Sequence, residues 1–150
     1  MKFQVHISKN PAEFENILEL RYAILRAPWK QSKESATDEL EADAYNAYIL
    51  SKEGHVIACG RLQENEHKVG QIRYMAVAEA WQGKGLGKTI LAALEKKAQE
   101  QGFKKIELQA RENALEFYKS KGYAVDEKSF LLWGQIQHYL MVKHLGDNKH

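Results

Sequence analysis

The sequence predicts a single α/β domain, and three observations carry that expectation. Some short stretches alternate apolar and polar residues at the period of a half-buried strand. Others repeat apolar residues at the period of a helix, and glycines follow those helical stretches where a left-handed cap belongs. Phe3 to Ile7 alternates and reads as the first strand. Asn10-Pro11-Ala12-Glu13 then signals a helix start: a capping side chain, proline at the first position, and a glutamate two residues later. Phe14, Ile17, Leu18, Tyr22 and Leu25 recur at helical spacing, carrying that helix to about Arg26. Ala27 to Asp43 is polar, with Pro28 and Trp29 near its start, and reads as loop plus a short helix. Tyr45 to Ser51 and His55 to Gln63, separated by Lys52-Glu53-Gly54, read as a hairpin, with Val69 to Ala78 as the third strand of a meander.

From Gly85 the period becomes helical, with Leu86, Ile90, Leu94 and Ala98 on one face and charges opposite, until Gly102. Lys105 to Ala110 reads as a strand, Asn113 to Lys121 as a short helix closed by Gly122, and Gly122 to Val125 with Gln135 to Val142 as a last strand pair. There are no repeats, low-complexity tracts or linkers, so residues 1–145 are expected to form one domain and 146–150 a polar C-terminal tail. A chain of 150 residues is long enough to bury its own core, and 44% hydrophobic with 28% charged residues is ordinary for a globular protein. A net charge of +2, with both signs interspersed, gives no reason to expect a nucleic-acid or membrane partner. The single cysteine, Cys59, excludes an internal disulfide and suits a reducing compartment. Met1 to Asn10 lacks an apolar signal core, and no apolar run is long enough to span a bilayer. A cytoplasmic protein is the expectation.

The stretch WQGKGLGKT, residues 81–89, ends like a nucleotide-binding P-loop. That motif needs a glycine at residue 82, which is glutamine, and a dinucleotide fingerprint starting at Gly83 needs one at residue 88, which is lysine. What remains is strand, glycine-rich turn, helix. The first N–H groups of a helix have no partners inside it and carry partial positive charge, so an anion placed on them satisfies donors and dipole together. Gly83, Gly85 and Gly87 let main chain approach phosphate oxygens without a Cβ in the way, and Lys84 and Lys88 add charge at the rim. The alternative is a glycine-rich turn that enters a helix and holds no ligand.

Gln82-Gly83-Lys84-Gly85-Leu86-Gly87 resembles the Arg/Gln-x-x-Gly-x-Gly/Ala motif of the GNAT superfamily of N-acetyltransferases, placed as there between a strand ending Tyr74-Met75-Ala76-Val77 and an amphipathic helix. A second stretch, Asn113-Ala114-Leu115-Glu116-Phe117-Tyr118-Lys119-Ser120-Lys121-Gly122-Tyr123, resembles that family's Asn, Phe-Tyr, Gly-Phe/Tyr signature. Two departures are Gln82 for the commoner arginine, and Glu79 where many members have proline, which implies a less rigid turn. The resemblance implies the acyl-CoA N-acyltransferase fold, a mixed, mostly antiparallel sheet of about seven strands flanked by helices. It also implies acetyl-coenzyme A as cosubstrate, its diphosphate on residues 82–88.

By the same resemblance, main-chain groups of Met75, Ala76 and Val77 pair with the pantetheine arm between splayed fourth and fifth strands, and the N–H near Val77 polarises the thioester carbonyl. An amine of a small molecule or peptide attacks directly, and the oxyanion that forms needs donors already in place. A lysine-like amine of pKa ~10.4 costs about 4 kcal/mol to deprotonate at pH 7, whereas expelling a thiolate of pKa ~8.5 costs about 2 kcal/mol. Tyr118 falls where the family places its general acid, though a tyrosine packing a short helix on a sheet is the plain alternative. Asn113 is a ligand of the cofactor amide or a helix cap, Phe117 a pantetheine contact or core residue, and Lys121 a partner of the 3′-phosphate or of the helix C-terminus.

For the base, His138, Glu107 and the carboxylates between Asp38 and Asp43 are candidates, beside a water chain with no dedicated residue. The other five histidines show no metal-ligand spacing, and Cys59 has no visible triad partners. Arg26-Ala27-Pro28-Trp29 and the run Asp38, Glu39, Glu41, Asp43 lie where the family shapes acceptor choice; clustered carboxylates there suit a cationic amine, unless they are only a solvated helix face. Two other classes stay open: a non-catalytic acetyl-CoA-binding regulatory module and a P-loop protein. A homodimer, common in such folds, has no interface signature in the sequence.

Overall fold

The computed structural model describes residues 3–146, so Met1, Lys2 and most of the expected tail, Asp147 to His150, lie outside the described residues. Seven strands form one sheet: β1 (Val5–Lys9), β2 (Tyr45–Leu50), β3 (Val56–Glu66), β4 (Val69–Val77), β5 (Lys105–Arg111), β6 (Ala124–Leu132) and β7 (Ile136–His144), in the order β1-β2-β3-β4-β5-β7-β6. Three α-helices accompany them: α1 (Phe14–Arg21), α2 (Leu86–Glu100) and α3 (Leu115–Ser120). The described residues divide into two compact units, one of residues up to Gln63 with Ile72–Lys97, the other of Glu64–Gln71 with Ala98 onward.

In the first unit β1 and β2 are antiparallel, Val5 opposite Ile49, and β2 and β3 antiparallel, Ala47 opposite Gly60. Ile17 and Leu20 of α1 pack with Tyr48, Val56, Cys59 and Ala76, an apolar stripe on a sheet face. The helix starts later than its sequence signal. Asn10 takes a left-handed φ of 49° and donates its side-chain N–H to the Ala42 carbonyl at 3.4 Å, so it serves a turn and not a cap. Past Arg21 the chain widens into a π-helical turn, Tyr22–Arg26. In a regular α-helix residues five apart face roughly 140° away from each other; the wider turn lets Arg21 and Arg26 both bury. The segment read as loop plus short helix is instead three 3-10 turns, Ala27–Trp29, Lys33–Ala36 and Glu41–Asp43.

The expected α2 face, Leu86, Ile90, Leu94 and Ala98, is buried throughout. A Cβ on Gly60 of β3 would stand 2.8 Å from Ile90 and 2.9 Å from Leu94, so glycine there sets how closely helix and strand pack. After α2, Gly102 at φ 77° donates its N–H to Gln99 O while Phe103 N–H reaches Ala98 O, the left-handed closure expected from sequence.

In the second unit β5 and β6 both pair antiparallel with β7, Ala110 opposite Tyr139 and Ala124 opposite Val142. Strand β6 runs far beyond the expected Gly122 to Val125, through Asp126-Glu127-Lys128 to Leu132. Its mostly exposed edge position removes the apolar alternation that marks a half-buried strand. α3 is shorter than expected and begins after a 3-10 turn, Glu112–Ala114.

Candidate functional site

The glycine loop sits between β4 and α2. β4 ends at Val77, and the chain turns through a 3-10 segment, Glu79–Trp81, in which Trp81 N–H bonds Ala78 O at 2.8 Å and Gln82 N–H bonds Glu79 O at 3.3 Å. Trp81 lies edge-on to Phe3 at 5.7 Å, and Gln82 Nε2 donates to Val77 O at 3.0 Å. These bonds hold the turn at Glu79, where the resemblance implies a less rigid one.

Gly83 and Gly85 hold φ of 78° and 82°, a region L side chains rarely enter, and a Cβ on either would meet nothing within 4 Å. Main chain there lies open. Gln82, Gly83, Lys84 and Gly85 are exposed, Leu86 is buried as the anchor of α2, Gly87 is half-buried, and Lys88 is exposed. The first bond into α2 runs from Thr89 N–H to Gly85 O at 3.1 Å, leaving the N–H groups before it unmatched within a helix of fifteen residues. Left-handed glycines, open space and helix N–H groups together fit a diphosphate. Thr89 Oγ1 also turns back onto Gly85 O at 3.0 Å, whereas a P-loop threonine turns its hydroxyl to magnesium.

Upstream, Met75 and Val77 are half-buried on β4 and Ala76 is buried. The sequence gives no warning of Tyr74, which holds φ 56° inside β4. A left-handed, bulky residue in a strand is an outlier that bends it and re-aims its neighbours. Arginines surround its ring: the guanidinium carbons of Arg21, Arg73, Arg61 and Arg26 lie 4.5, 4.6, 4.9 and 5.7 Å from the centroid. Arg61 grips Asp38 with two parallel bonds of 2.9 and 3.0 Å and Glu41 with a third of 3.0 Å. Arg21 donates to Glu41 at 2.8 Å, to Asn46 at 2.6 Å and to the Ala36 carbonyl at 2.9 Å, and Arg73 donates to Asp38 at 2.7 Å.

Burial alone would raise the Glu41 carboxyl, but bonds from Arg21, Asn46 and Thr37 outweigh it and hold it at about 2. Asp38 is likewise depressed, burial being outweighed by the bonds and charge of Arg61. The acidic run is therefore not a free carboxylate patch for a cationic acceptor. Asp38 and Glu41 are taken up by arginines, leaving Glu39 and Asp43 exposed.

In the second unit Tyr118 is 8% exposed on α3, edge-on to Phe117 at 5.0 Å and Tyr123 at 5.8 Å, and burial pushes its phenol up to about 12. Asn113 lies exposed in the 3-10 turn before α3; the helix cap falls on Ala114, with no side-chain cap bond, which removes the capping alternative for Asn113. Phe117 and Lys121 are half-buried, and the Lys121 carbonyl accepts from Lys143 Nζ at 2.9 Å, so the cation on the end of α3 comes from β7. His138 is buried in β7 with Phe130 stacked on its ring at 4.5 Å. Its Nδ1 lies 3.0 Å from Ile136 O, which requires a proton on Nδ1 and puts the lone pair of the neutral ring on Nε2. Glu107 is half-buried and accepts from Asn65 at 3.3 Å. Among the described residues, Arg21 Nε and Gln109 Oε1 are buried with no hydrogen-bond partner, no group of acids, histidines and cysteine is arranged to hold a metal ion, and no helix is long and apolar enough to cross a membrane.

A strand, an open left-handed glycine turn and a helix N-terminus on an α/β sheet make an arrangement whose main chain is suited to a phosphate-bearing ligand. The particular family follows from comparison: the acetyltransferase (GNAT) family profile matches residues 14–123, and the chain belongs to that family, whose members are enzymes that use acetyl-CoA. It is 31% identical over 138 residues to an uncharacterised N-acetyltransferase of Bacillus subtilis, YjcF, covering 91% of this chain and 96% of that one. The fold is shared with an acyl-CoA N-acyltransferase of Pseudomonas aeruginosa, at TM-score 0.82 and 18% identity, covering 95% of this chain and 99% of the other. It is shared too with a GNAT family acetyltransferase of Elizabethkingia anophelis solved with acetyl-CoA bound, at TM-score 0.74 and 20% identity, covering 95% and 98%.

Proposed function

We propose that this enzyme moves the acetyl group of acetyl-CoA onto a primary amine of a small molecule or peptide by direct attack, with residues 1–145 working as one domain. The observation that carries the reading is the open, left-handed main chain at Gly83 and Gly85 beside the first turn of α2. In this proposal the main chain from Gln82 to Lys88 holds the diphosphate, with Lys84 and Lys88 adding charge. Main-chain groups of Met75, Ala76 and Val77 hold the pantetheine arm, and Asn113, Phe117 and Lys121 make its remaining contacts. Acetyl-CoA supplies an activated acyl thioester; the protein supplies position, a polarising N–H at Val77 and proton management. The single cysteine, Cys59, suits the proposed cytoplasmic location.

Tyr118 is the proposed general acid for the departing sulfur. With its phenol at about 12 it stays protonated at any working pH. It is then a weaker acid than a thiol of pKa ~8.5, so full transfer of its proton to the free thiolate is uphill by roughly 5 kcal/mol. The phenol O–H therefore acts by hydrogen-bonding the charge that builds on sulfur as the C–S bond opens, and the departed thiolate takes its proton from water. For the amine, His138 Nε2 is one proposed acceptor and a water chain the other.

Release of free thiol from acetyl-CoA across an amine panel tests the transfer. Tight calorimetric binding with no thiol released by any amine favours the regulatory-module reading instead. Tyr118→Phe keeps CoA affinity and lowers kcat about a hundredfold. Because the phenol stays neutral well below pH 12 while solvent acid falls with pH, the loss is larger at high pH; unchanged kcat with a good acceptor removes Tyr118 from the mechanism.

A further inference from the structure

The cluster around Tyr74 carries more positive than negative charge. Four guanidinium groups lie within 5.7 Å of the ring centre, and the carboxylates bonded into the cluster are Asp38 and Glu41. Burial holds the Arg26 guanidinium below its ordinary value, and the charges of Arg73 and Arg21 press the same way. Arg21 Nε is buried with no hydrogen-bond partner. Gathering like charges in a half-dry place is costly unless an anion completes it. Tyr74 also holds a strained left-handed φ of 56°, and strain of this kind concentrates at ligand clamps and active sites.

Arg73 is the member that reaches solvent. Its side chain is 37% exposed, where those of Arg21 and Arg61 are fully buried, and it gives Nη1 to Asp38. It stands on β4 two residues before Met75, with the left-handed Tyr74 between them. A guanidinium presents a planar fork of donors that matches a carboxylate by two parallel bonds. The same surplus repels a polyamine, the reverse of what the acidic run implies when read from sequence alone.

Resting on the reading that Met75 to Val77 hold the acyl-pantetheine, we propose that the acceptor is an amine that also carries a carboxylate, and that Arg73, in the field of the cluster around Tyr74, receives that carboxylate.

Three series of acceptors, assayed by thiol release, test this: amino acids with their carboxamides, linear diamines, and aminoalkyl phosphates. The wild-type enzyme prefers a carboxylate over its own carboxamide by about ten- to a hundredfold in kcat/KM, chiefly through KM, with diamines poorest. Arg73→Gln brings the carboxylate-to-carboxamide ratio close to one, Arg73→Lys restores part of it, and a thermal melt confirms that both variants are folded. Turnover with no such preference, a preference for diamines, or a ratio that survives Arg73→Gln overturns the carboxylate assignment and leaves the transferase standing. An aminoalkyl phosphate that outperforms every carboxylate also overturns it. No calorimetric binding of acetyl-CoA by the wild type sinks the transferase reading, and this inference with it.

Discussion

The glycine loop and the Tyr74 cluster lie at opposite ends of a scale of exposure. At Gly83 and Gly85 the main chain is bare, and a Cβ would touch nothing. Around Tyr74 the donors of Arg21 and Arg61 are almost all engaged inside the protein, and both side chains are fully buried. One region leaves groups unmatched at the surface, the other packs matched groups with a surplus of one sign. The first needs a few consecutive residues. The second draws on α1, the 3-10 turns and three strands, and so is invisible to any motif.

Perturbing the cluster has the largest expected effect. Arg61→Met leaves Asp38 short of its principal cation and takes one of two arginines from Glu41; it costs about 3–5 kcal/mol, measured by urea unfolding. A cost under about 1 kcal/mol equates the cluster with an ordinary surface network and breaks the contrast.

Acid comes next. The Glu41 carboxyl is held at about 2 in the folded protein against an ordinary 4.5. Its stabilisation is therefore full above the ordinary value and lost as pH falls from there toward 2. The loss is on the order of 3 kcal/mol. Unfolding free energy followed from pH 6 to 2 should fall across that window, and Glu41→Gln should flatten the fall. An equal acid slope in that variant assigns the loss to other carboxylates.

Smallest is the loop itself. Gly85→Val forces a branched residue to a φ near 82°, costing ~1–2 kcal/mol. A turn that relaxes out of its left-handed conformation to escape this strain must be restored on binding, which should weaken acetyl-CoA about tenfold by calorimetry. Unchanged affinity moves the diphosphate away from this turn.

Parts of the molecule were legible because their information is local. The hairpin from Tyr45, the apolar face of α2, the left-handed closures at Gly102 and Gly122, and the glycine loop each depend on a few neighbouring residues. Helix starts and edge strands were less so. Asn10 carries the chemistry of a cap, but its side chain was drawn to Ala42 thirty-two residues away, and β6 showed no alternation because both its faces are mostly exposed.

By itself the sequence determined the α/β class, the family and the glycine turn that enters α2, since periodicity, glycine spacing and helix polarity act over a turn or two of chain. Only the tertiary structure decided what the charges mean. Asp38 and Glu41 look like an open acidic patch in one dimension and become counter-ions of Arg21, Arg61 and Arg73 in three. The physical reason is range: a charge pair is set by distance in space and by the water excluded around it, and neither is written in the spacing of residues along a chain.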